Sequence, residues 1–247
     1  MPRLIPFRLV AACALAFILM LTTAALAVAK GPVAELRVVG SGGKVLAEDS
    51  FGAFTASIKA SPQATCFGSG TGGSGETVTV NGPTALGMLI QASKFTATLK
   101  PLQITDAFSF GLGLCNIGGS KATKKLSWYL KVNHENPELG GEVVKVKPGD
   151  EVLWALAAFP YPAELALSAP GKATAGVPFP VRVFSYDDKG KKRPAAGVTV
   201  TGAGSPTDAD GRATVTLAKP GRLVARHGKD IPSNSEPVCV GGKCPKG

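Results

Sequence analysis

Two short motifs have spacings that occur in ligand-binding loops. Residues 68–73 read GSGTGG and satisfy the G-x-G-x-x-G pattern of phosphate-binding turns. Such a turn leaves a buried strand and opens a helix, whereas residues 68–73 follow Cys66 and lead into a segment with strand alternation. Residues 208–211 read DADG, the spacing that opens a calcium loop, but no carboxylate follows at the closing position. We therefore predict a flexible loop at the first motif and a hairpin turn at the second.

The two histidines, His134 and His227, are the side chains best suited to proton transfer at neutral pH. Both lie in polar, turn-like segments without a serine or cysteine motif nearby, so solvated loop positions are predicted for them. No pair of carboxylates stands out as a glycosidase pair. The sequence therefore predicts no enzyme, no catalytic residue, no metal and no cofactor, and it leaves the residues of any ligand site unknown.

Four cysteines follow the N-terminal segment, namely Cys66, Cys115, Cys239 and Cys244. An even number of cysteines in an exported chain favours disulfides, and four cysteines allow three pairings. The spacing favours a bridge between Cys66 and Cys115. It favours a second bridge between Cys239 and Cys244. Zinc is the competing use of four cysteines, but the chain has no Cys-x-x-Cys pair and neither histidine is close to a cysteine.

The N-terminal segment predicts export. Residues 1–8 are basic, residues 9–21 are apolar, and residues 22–29 are small, so residues 1–29 read as a signal peptide with Lys30 as the preferred first mature residue. An uncleaved anchor is the first alternative, but the apolar run is shorter than the ~20 residues that a spanning helix needs. Lipidation of Cys13 is the second alternative. A lipidated cysteine follows the apolar run of its signal peptide, whereas most of the apolar run here comes after Cys13. We predict a protein that is secreted or held at the cell surface, with no membrane span after cleavage.

The charge of the chain is basic but diffuse. The full sequence carries 27 Lys and Arg against 17 Asp and Glu, a net charge of +10. The densest clusters, residues 121–125 (KATKK) and 189–193 (KGKKR), contain no interleaved aromatic residues of the kind that bind single-stranded nucleic acid. Solvated turns are the simpler interpretation, and contact with anionic wall polymers or lipid headgroups is the alternative. The predicted partner is an unidentified extracellular ligand or an anionic cell-surface polymer, and not nucleic acid.

The elements that must position any site are short strands. The 31 glycines and 19 prolines divide the chain into short runs rich in β-branched residues. One helix is predicted at residues 84–94, with Thr84 as its N-cap. The residue pattern predicts strands at 34–39, 54–58, 77–80, 126–133, 141–146 and 151–156, with further short strands between residues 95 and 114. Leu126, Trp128, Leu130 and Val132 alternate with polar residues, which predicts one buried face, and Trp128 and Trp154 are predicted to be core residues.

Residues 159–162 read FPYP, which predicts a short stiff linker at 159–163 and a boundary between two domains, residues 30–158 and residues 164–247. Six further strands are predicted beyond it, at 164–167, 179–185, 198–201, 212–217, 221–226 and 236–240. Their spacing is typical of a sandwich, and no helical pattern interrupts them.

Residues 51–157 resemble an uncharacterised bacterial domain family related to the C-terminal domain of the cobalamin carrier transcobalamin. The matching segments are the helix at 84–92, the strand WYLKVN at 128–133 and VKPGDEVLW at 146–154. The resemblance implies a β-grasp-like fold in which one helix packs across a mixed sheet. Transcobalamin encloses cobalamin with an additional large helical domain, which this chain lacks, so no ligand residues are carried over and no carrier-like affinity for cobalamin is expected.

Residues 163–240 resemble the bacterial Ig-like domains of adhesins and other surface proteins. The matching segments are residues 175–183, 194–200 and 207–217. The resemblance implies a β-sandwich that spaces, displays or adheres. Together the two resemblances predict a mainly β chain with one helix, in which a β-grasp-like α+β domain precedes an Ig-like β-sandwich with a disulfide-closed tail. The predicted function is display, adhesion or extracellular binding without catalysis, and the alternative is a soluble binder of a small, corrinoid-like ligand through the first domain.

The exported chain should carry no free thiol. We expect its intact mass to match a chain that begins at Lys30 and to rise on full reduction by the hydrogens of four thiols. Mass spectrometry with and without reductant measures both. An unpaired Cys66, or a lipid retained on Cys13, contradicts the prediction.

Overall fold

A computed structural model describes residues 31–245 of the chain. The predicted signal peptide, with Cys13, lies outside these residues. The described part of the chain is mainly β with a single α-helix, as predicted. No helix between residues 31 and 245 is long and apolar enough to cross a membrane.

Two separate hydrophobic cores divide the structure into an N-terminal unit, residues 31–158, and a C-terminal unit, residues 164–245. The N-terminal unit contains helix α1 (Ala85–Phe95) and 3-10 turns at Ser41–Gly43 and Ala97–Leu99. Its strands are β1 (Val33–Val39), β2 (Val45–Gly52), β3 (Ala56–Lys59), β4 (Thr77–Val80), β5 (Leu102–Phe108), β6 (Gly111–Ile117), β7 (Ser120–Lys121), β8 (Ser127–Val132) and β9 (Glu151–Ala157).

The principal sheet of the N-terminal unit is mixed and has the order β2-β1-β9-β8. Strands β1 and β9 are parallel, and the two outer pairings are antiparallel. Smaller sheets pair β3 with β4 and join β5, β6 and β7. Helix α1 begins as predicted, because the Thr84 Oγ1 accepts a hydrogen bond of 3.1 Å from the Gly87 N–H. Helix α1 and the principal sheet share one hydrophobic core.

Strands β1, β9 and β8 of the principal sheet are buried on both faces, which corrects the single buried face predicted at β8. Trp128 and Leu130 belong to the core shared with α1. Tyr129 and Lys131 point to the opposite face, yet they are only 2% and 1% exposed because the C-terminal unit covers them. Parallel strands are commonly buried on both faces, so the β1/β9 pair fits this environment.

Apolar contacts and hydrogen bonds join the two units. Ile231 of the C-terminal unit packs in a cluster with Val39, Tyr129, Leu153 and Ala155 of the principal sheet. The predicted linker packs against the same face, because the Tyr161 ring stacks on Tyr129 at 3.9 Å. Hydrogen bonds also cross between the units, among them Asn136 N to Asp188 O (2.8 Å), Ser235 N to Glu48 Oε1 (2.7 Å) and Arg226 Nη1 to Gly43 O (2.9 Å).

The strand predicted at 141–146 is wrong. These residues form a turn and an extended stretch that pack Val144 and Val146 into the core. Their carbonyl groups bond to the start of the helix instead of to a strand, since Ala85 N donates to Val144 O (3.0 Å) and Leu86 N donates to Gly141 O (2.9 Å). The first N–H groups of a helix have no partner within the helix, so this segment supplies acceptors that α1 lacks.

The C-terminal unit is built entirely from short strands. They are β10 (Glu164–Ser168), β11 (Lys172–Ala173), β12 (Phe179–Tyr186), β13 (Lys192–Pro194), β14 (Thr199–Val200), β15 (Arg212–Val215), β16 (Gly221–Leu223), β17 (Ala225–Arg226) and β18 (Glu236–Val240). Strand β12 pairs with β10, β13 and β15, while β18 pairs with β11 and β16, and β14 pairs with β17. Residues 208–211 form the predicted turn, in which the Asp208 carboxylate accepts from Asp210 N and Arg212 N.

Both disulfides form with the pairing that the spacing favours. Cys66 bonds to Cys115 across 49 residues of the N-terminal unit, and Cys239 bonds to Cys244 across 5 residues at the C-terminus. The first bridge is buried against Ala64 and Phe108. A long closed loop restricts the unfolded chain more than a short one, so the first bridge contributes more to stability.

The two bridges should therefore differ in their effect on unfolding. We expect Cys66→Ser with Cys115→Ser to lower the free energy of unfolding by about 4 kcal/mol, and Cys239→Ser with Cys244→Ser by about 2 kcal/mol. Urea titration of each double variant measures the difference. Equal shifts of the midpoint would contradict the loop-length argument.

Candidate functional site

A pocket of about 340 Å³ opens on the N-terminal unit between the β5–β6 hairpin, strand β8 and the loop segment 136–142. Most of the side chains that line the pocket are aromatic or aliphatic. The residues that define its walls and floor are Phe108, Phe110, Trp128, Leu139, Glu142 and Trp154. We refer to it as the aromatic pocket.

The mouth of the aromatic pocket carries exposed apolar side chains. Phe110 is 81% exposed, Leu139 is 64% exposed and Phe67 is 41% exposed. The Phe110 ring stacks almost parallel on Phe108, with centroids 5.0 Å apart, and Phe67 lies 5.9 Å from Phe108. Contiguous exposed apolar groups beside a cavity are typical of interaction sites.

The floor of the aromatic pocket contains both tryptophans of the chain. Trp128 and Trp154 are 9% and 4% exposed, which confirms the predicted burial. Neither indole N–H has a hydrogen-bond acceptor among residues 31–245. Buried indole N–H groups usually have a partner, so two such groups at one pocket are unusual. Gly141 allows Trp154 to lie there, because a Cβ at Gly141 would approach the indole ring to 2.6 Å.

Glu142 places a carboxylate beside the aromatic floor. Its Oε1 accepts a hydrogen bond of 3.2 Å from Leu112 N, while its Oε2 is buried and has no partner within the described part of the chain. Glu138 is the second acidic residue of the lining. Lys, Arg and His are absent from the described residues that line the pocket, so its ionisable carboxylates have no adjacent cation.

A second polar site lies between the units and is centred on Glu164, which is 2% exposed. The Arg37 guanidinium forms a short ion pair with Glu164 Oε1, and the Lys131 ammonium lies 3.2 Å from Oε2. Lys131 Nζ also donates to Asp187 O (2.9 Å) and to Tyr186 O (3.5 Å), and Arg37 Nη1 donates to Pro232 O (2.5 Å). We refer to Arg37, Lys131, His134 and Glu164 as the ionic cluster.

His134 belongs to this cluster, so its predicted solvated position is wrong. Its Nδ1 lies 3.1 Å from Glu164 Oε1, and its ring stacks on Tyr186 with centroids 3.8 Å apart. Glu164 and Tyr186 are 30 or more residues away along the chain, which explains why local sequence patterns did not reveal these contacts. His227 lies at the surface as predicted and contacts Asp230 at 2.9 Å. Neither histidine lines the aromatic pocket.

Burial and pairing act in opposite directions on the charged groups of the cluster. Burial alone would raise the pKa of Glu164, but its hydrogen bond with His134 and the charge of Arg37 together hold that pKa below the ordinary value of 4.5. Burial lowers the pKa of Lys131, an effect that the charge of Glu164 only partly offsets. Burial and the hydrogen bond to Asp188 raise the pKa of Tyr129.

A cleft of about 670 Å³ runs along this boundary between the units. Acidic side chains line it together with basic ones, namely Glu35, Glu48, Asp49, Glu151, Glu236, Lys192 and Arg222. Burial raises the pKa of Glu236, and the charges of Glu48 and Glu151 act in the same direction. The Lys192 ammonium lies 3.9 Å above the Phe184 ring. Lys192 thus contacts an aromatic ring of the cleft.

The remaining sequence motifs do not contribute to the pocket. Residues 68–73 form a loop, as predicted, in which the Thr71 hydroxyl donates to Gly68 O (2.8 Å) and accepts from Cys66 N (3.0 Å). The loop leads to strand β4 and not to a helix. The lysines at 121–125 are exposed, and so are Lys189 and Lys191–Arg193, so both basic clusters lie at the surface.

Comparison of the sequence with protein-family models finds no match, and comparison with curated proteins finds none. The resemblances to transcobalamin-related and Ig-like domains therefore remain predictions, and the site has to be interpreted from its own geometry.

Glu164→Gln should destabilise the protein at neutral pH and flatten its acid sensitivity. The substitution leaves Arg37 and Lys131 buried beside a neutral side chain, which costs about 3 kcal/mol. Because the pKa of Glu164 is lowered on folding, its contribution is present above about pH 4.5 and is lost as the pH falls through the lowered value. Urea midpoints measured from neutral to acidic pH should fall less steeply for the variant.

The exposed Glu76 provides the matched control. Glu76→Gln removes the same charge from the surface, so we expect a wild-type midpoint and a wild-type pH slope. A Glu164→Gln variant that resembles this control would contradict a stabilising role of the ionic cluster.

Proposed function

We propose that the protein is an extracellular binding module without catalytic activity, and that the aromatic pocket of the N-terminal unit is its ligand site. The observation that carries the proposal is an open pocket with aromatic walls, whose mouth carries the exposed side chains of Phe110, Leu139 and Phe67. Exposed apolar groups around a concave site are typical of surfaces that bind a ligand.

The surroundings of the histidines favour binding over catalysis. His134 is held between Glu164 and Tyr186, and His227 contacts Asp230. A general base must reach the reacting group of a substrate, and neither imidazole lines the aromatic pocket. The groups that do line it are suited to contact and orientation.

Several features support a location outside the cell. The N-terminal segment has the pattern of a signal peptide, and the chain forms two disulfides of the kind that persist in oxidising compartments. In this proposal the C-terminal unit acts as a spacer and support. It covers the face of the principal sheet opposite to α1, so it holds the N-terminal unit in one orientation and leaves the pocket open.

The size of the pocket favours a small ligand. Well-held small molecules are commonly buried over 70–90% of their surface in cavities of roughly 300–1,000 Å³. A volume of about 340 Å³ lies at the lower end of that range, so a corrinoid would remain largely outside it. Adhesion to an anionic polymer is the second candidate function, and the exposed clusters at 121–125 and 189–193 favour it.

Nile red, a neutral apolar dye, tests the pocket directly. We expect one dye molecule to bind per chain with a rise in fluorescence, and Phe110→Ala to weaken binding by about tenfold because it removes a stacked aromatic wall. Phe95→Ala is the matched control, since Phe95 is 84% exposed but does not line the pocket. Cyanocobalamin should not displace the dye at micromolar concentration.

Native mass spectrometry of the chain after incubation with a metabolite pool then tests whether a natural small ligand is retained. Cosedimentation with anionic cell-wall polymer tests the second candidate. Equal dye binding by wild-type protein and Phe110→Ala, or no dye binding at all, contradicts the pocket as the site. Polymer binding that persists in Phe110→Ala favours adhesion instead.

A further inference from the structure

We propose that the outer edge of strand β4 binds an extended peptide segment of another protein, which adds to the β3–β4 sheet as a third strand. This surface adjoins the aromatic pocket but is a separate site, and it goes beyond the function proposed above. Three features of the described residues lead to it: unpaired backbone groups on β4, an apolar groove beside them, and a charged side chain at each end of the strand.

Strand β4 is paired on one side only, because it forms a two-stranded sheet with β3. Just before β4, Glu76 O accepts a hydrogen bond of 2.8 Å from Ala60 N. Hydrogen-bonded pairs recur at every second residue of an antiparallel ladder, so the N–H and C=O groups of Thr77 and Thr79 point away from β3. These four groups have no backbone partner in the described part of the chain.

The occupant of this edge must be an extended backbone. Outward residues of a strand recur every ~6.6 Å, and a second strand presents its own N–H and C=O groups at the same repeat. Edge strands that stay unpaired often carry a proline, a lysine or a bulge. Residues 77–80 read TVTV and keep a continuous register with β3, so they have none of these protections. The edge is therefore open to strand addition.

A groove of about 620 Å³ opens beside this edge. Val78 and Val80 line it from β4, Leu112 lines it from β6, and Val143 lines it from the segment that precedes the acceptors of α1. Val143 is 54% exposed, so the groove presents an apolar surface to solvent. Side chains of a strand alternate between its two faces, and every second side chain of an added strand would enter the groove. Those side chains should be apolar.

A charged side chain stands at each end of the edge. At the C-terminal end, Lys145 lines the groove and its Nζ donates to Asn81 O (3.1 Å). At the N-terminal end, Glu76 is exposed and lies on the same face as Val78 and Val80, because side chains two residues apart share a face. A segment with a basic residue near Glu76 and an acidic residue near Lys145 is complementary to both ends.

The capped peptide acetyl-EVTVTK-amide has this pattern and serves as the probe. Placed antiparallel to β4, its lysine meets Glu76, its valines face the groove, and its threonines bond to Thr77 and Thr79. In the free protein we expect the amide protons of Thr77 and Thr79 to exchange rapidly with solvent. With the peptide bound they should exchange about tenfold more slowly, which hydrogen exchange followed by ¹⁵N-correlated NMR measures.

N-methylation of the peptide distinguishes strand addition from nonspecific apolar binding. Methyl groups on both threonine nitrogens remove the donors that face β4, so we expect affinity to fall about tenfold. Methyl groups on both valine nitrogens leave these donors in place, because the valine N–H groups point away from β4, and affinity should stay within about twofold. Equal losses for the two methylated peptides overturn the proposal.

Thr79→Pro removes an outward donor from the protein and leaves the ladder to β3 intact, since proline is tolerated at the open side of an edge strand. We expect the variant to bind the peptide about fivefold more weakly. Thr79→Ala is the matched control, because it removes the hydroxyl that lies 2.9 Å from Ser57 Oγ but keeps the N–H. It should bind as wild type does, and equal binding by the two variants contradicts the role of the edge.

Glu76→Lys tests the charge order. The variant should bind acetyl-EVTVTK-amide about threefold more weakly than wild type does, because an attractive surface pair becomes repulsive. The peptide acetyl-EVTVTE-amide, with an acidic residue in place of the lysine, should restore the affinity. Equal binding of both peptides by both proteins overturns the requirement for a basic residue in the partner.

The outcomes separate this site from the aromatic pocket. Phe110→Ala should leave peptide affinity unchanged, and Thr79→Pro should leave Nile red binding unchanged. Nile red binding without slower exchange at Thr77 and Thr79 in millimolar peptide overturns this inference and leaves the proposed function intact. A wild-type dimer that becomes a monomer in Thr79→Pro, as measured by sedimentation, would assign the edge to a second copy of the chain and would also overturn the inference.

Discussion

Glu164 lies 2% exposed between two cations that belong to the other unit, Arg37 on β1 and Lys131 on β8. Burying a carboxylate or a lysine ammonium without an opposite charge lowers the stability of the folded state. Each unit therefore carries a buried charge that a charge of the other unit compensates. The surrounding apolar contacts of Ile231 and Tyr161 are not specific in direction. The ionic cluster therefore joins the C-terminal unit to one particular face of the sheet, the face opposite to α1.

The sequence predicted those features whose causes are local. Thr84 and the apolar spacing after it specify the helix, and period-two alternation specifies β8. Misses occurred where the deciding partner is distant in sequence. Tyr129 and Lys131 read as the solvent face of a strand because the C-terminal unit that covers them begins more than 30 residues later.

The candidate site shows the same limit. Both tryptophans were predictable as buried residues, but their role in a pocket depends on Phe110 and Glu142, which reach it from separate segments. The segment at 141–146 alternates like a strand, yet its carbonyl groups serve the first turn of α1, and this places Glu142 beside the indoles. No single motif contains this arrangement, since the pocket arises from tertiary packing.

The Cys66–Cys115 bond has a consequence for where the pocket can exist. Phe67 follows Cys66 directly, and Cys115 lies on β6, whose other residues Leu112 and Leu114 line the pocket. The bond thus tethers one part of the mouth covalently to the opposite wall. In a reducing compartment the loop that carries Phe67 is anchored to β6 by noncovalent contacts alone. Formation of this disulfide therefore fixes Phe67 at the mouth of the pocket, and the same reaction closes the longer of the two disulfide loops in residues 31–245.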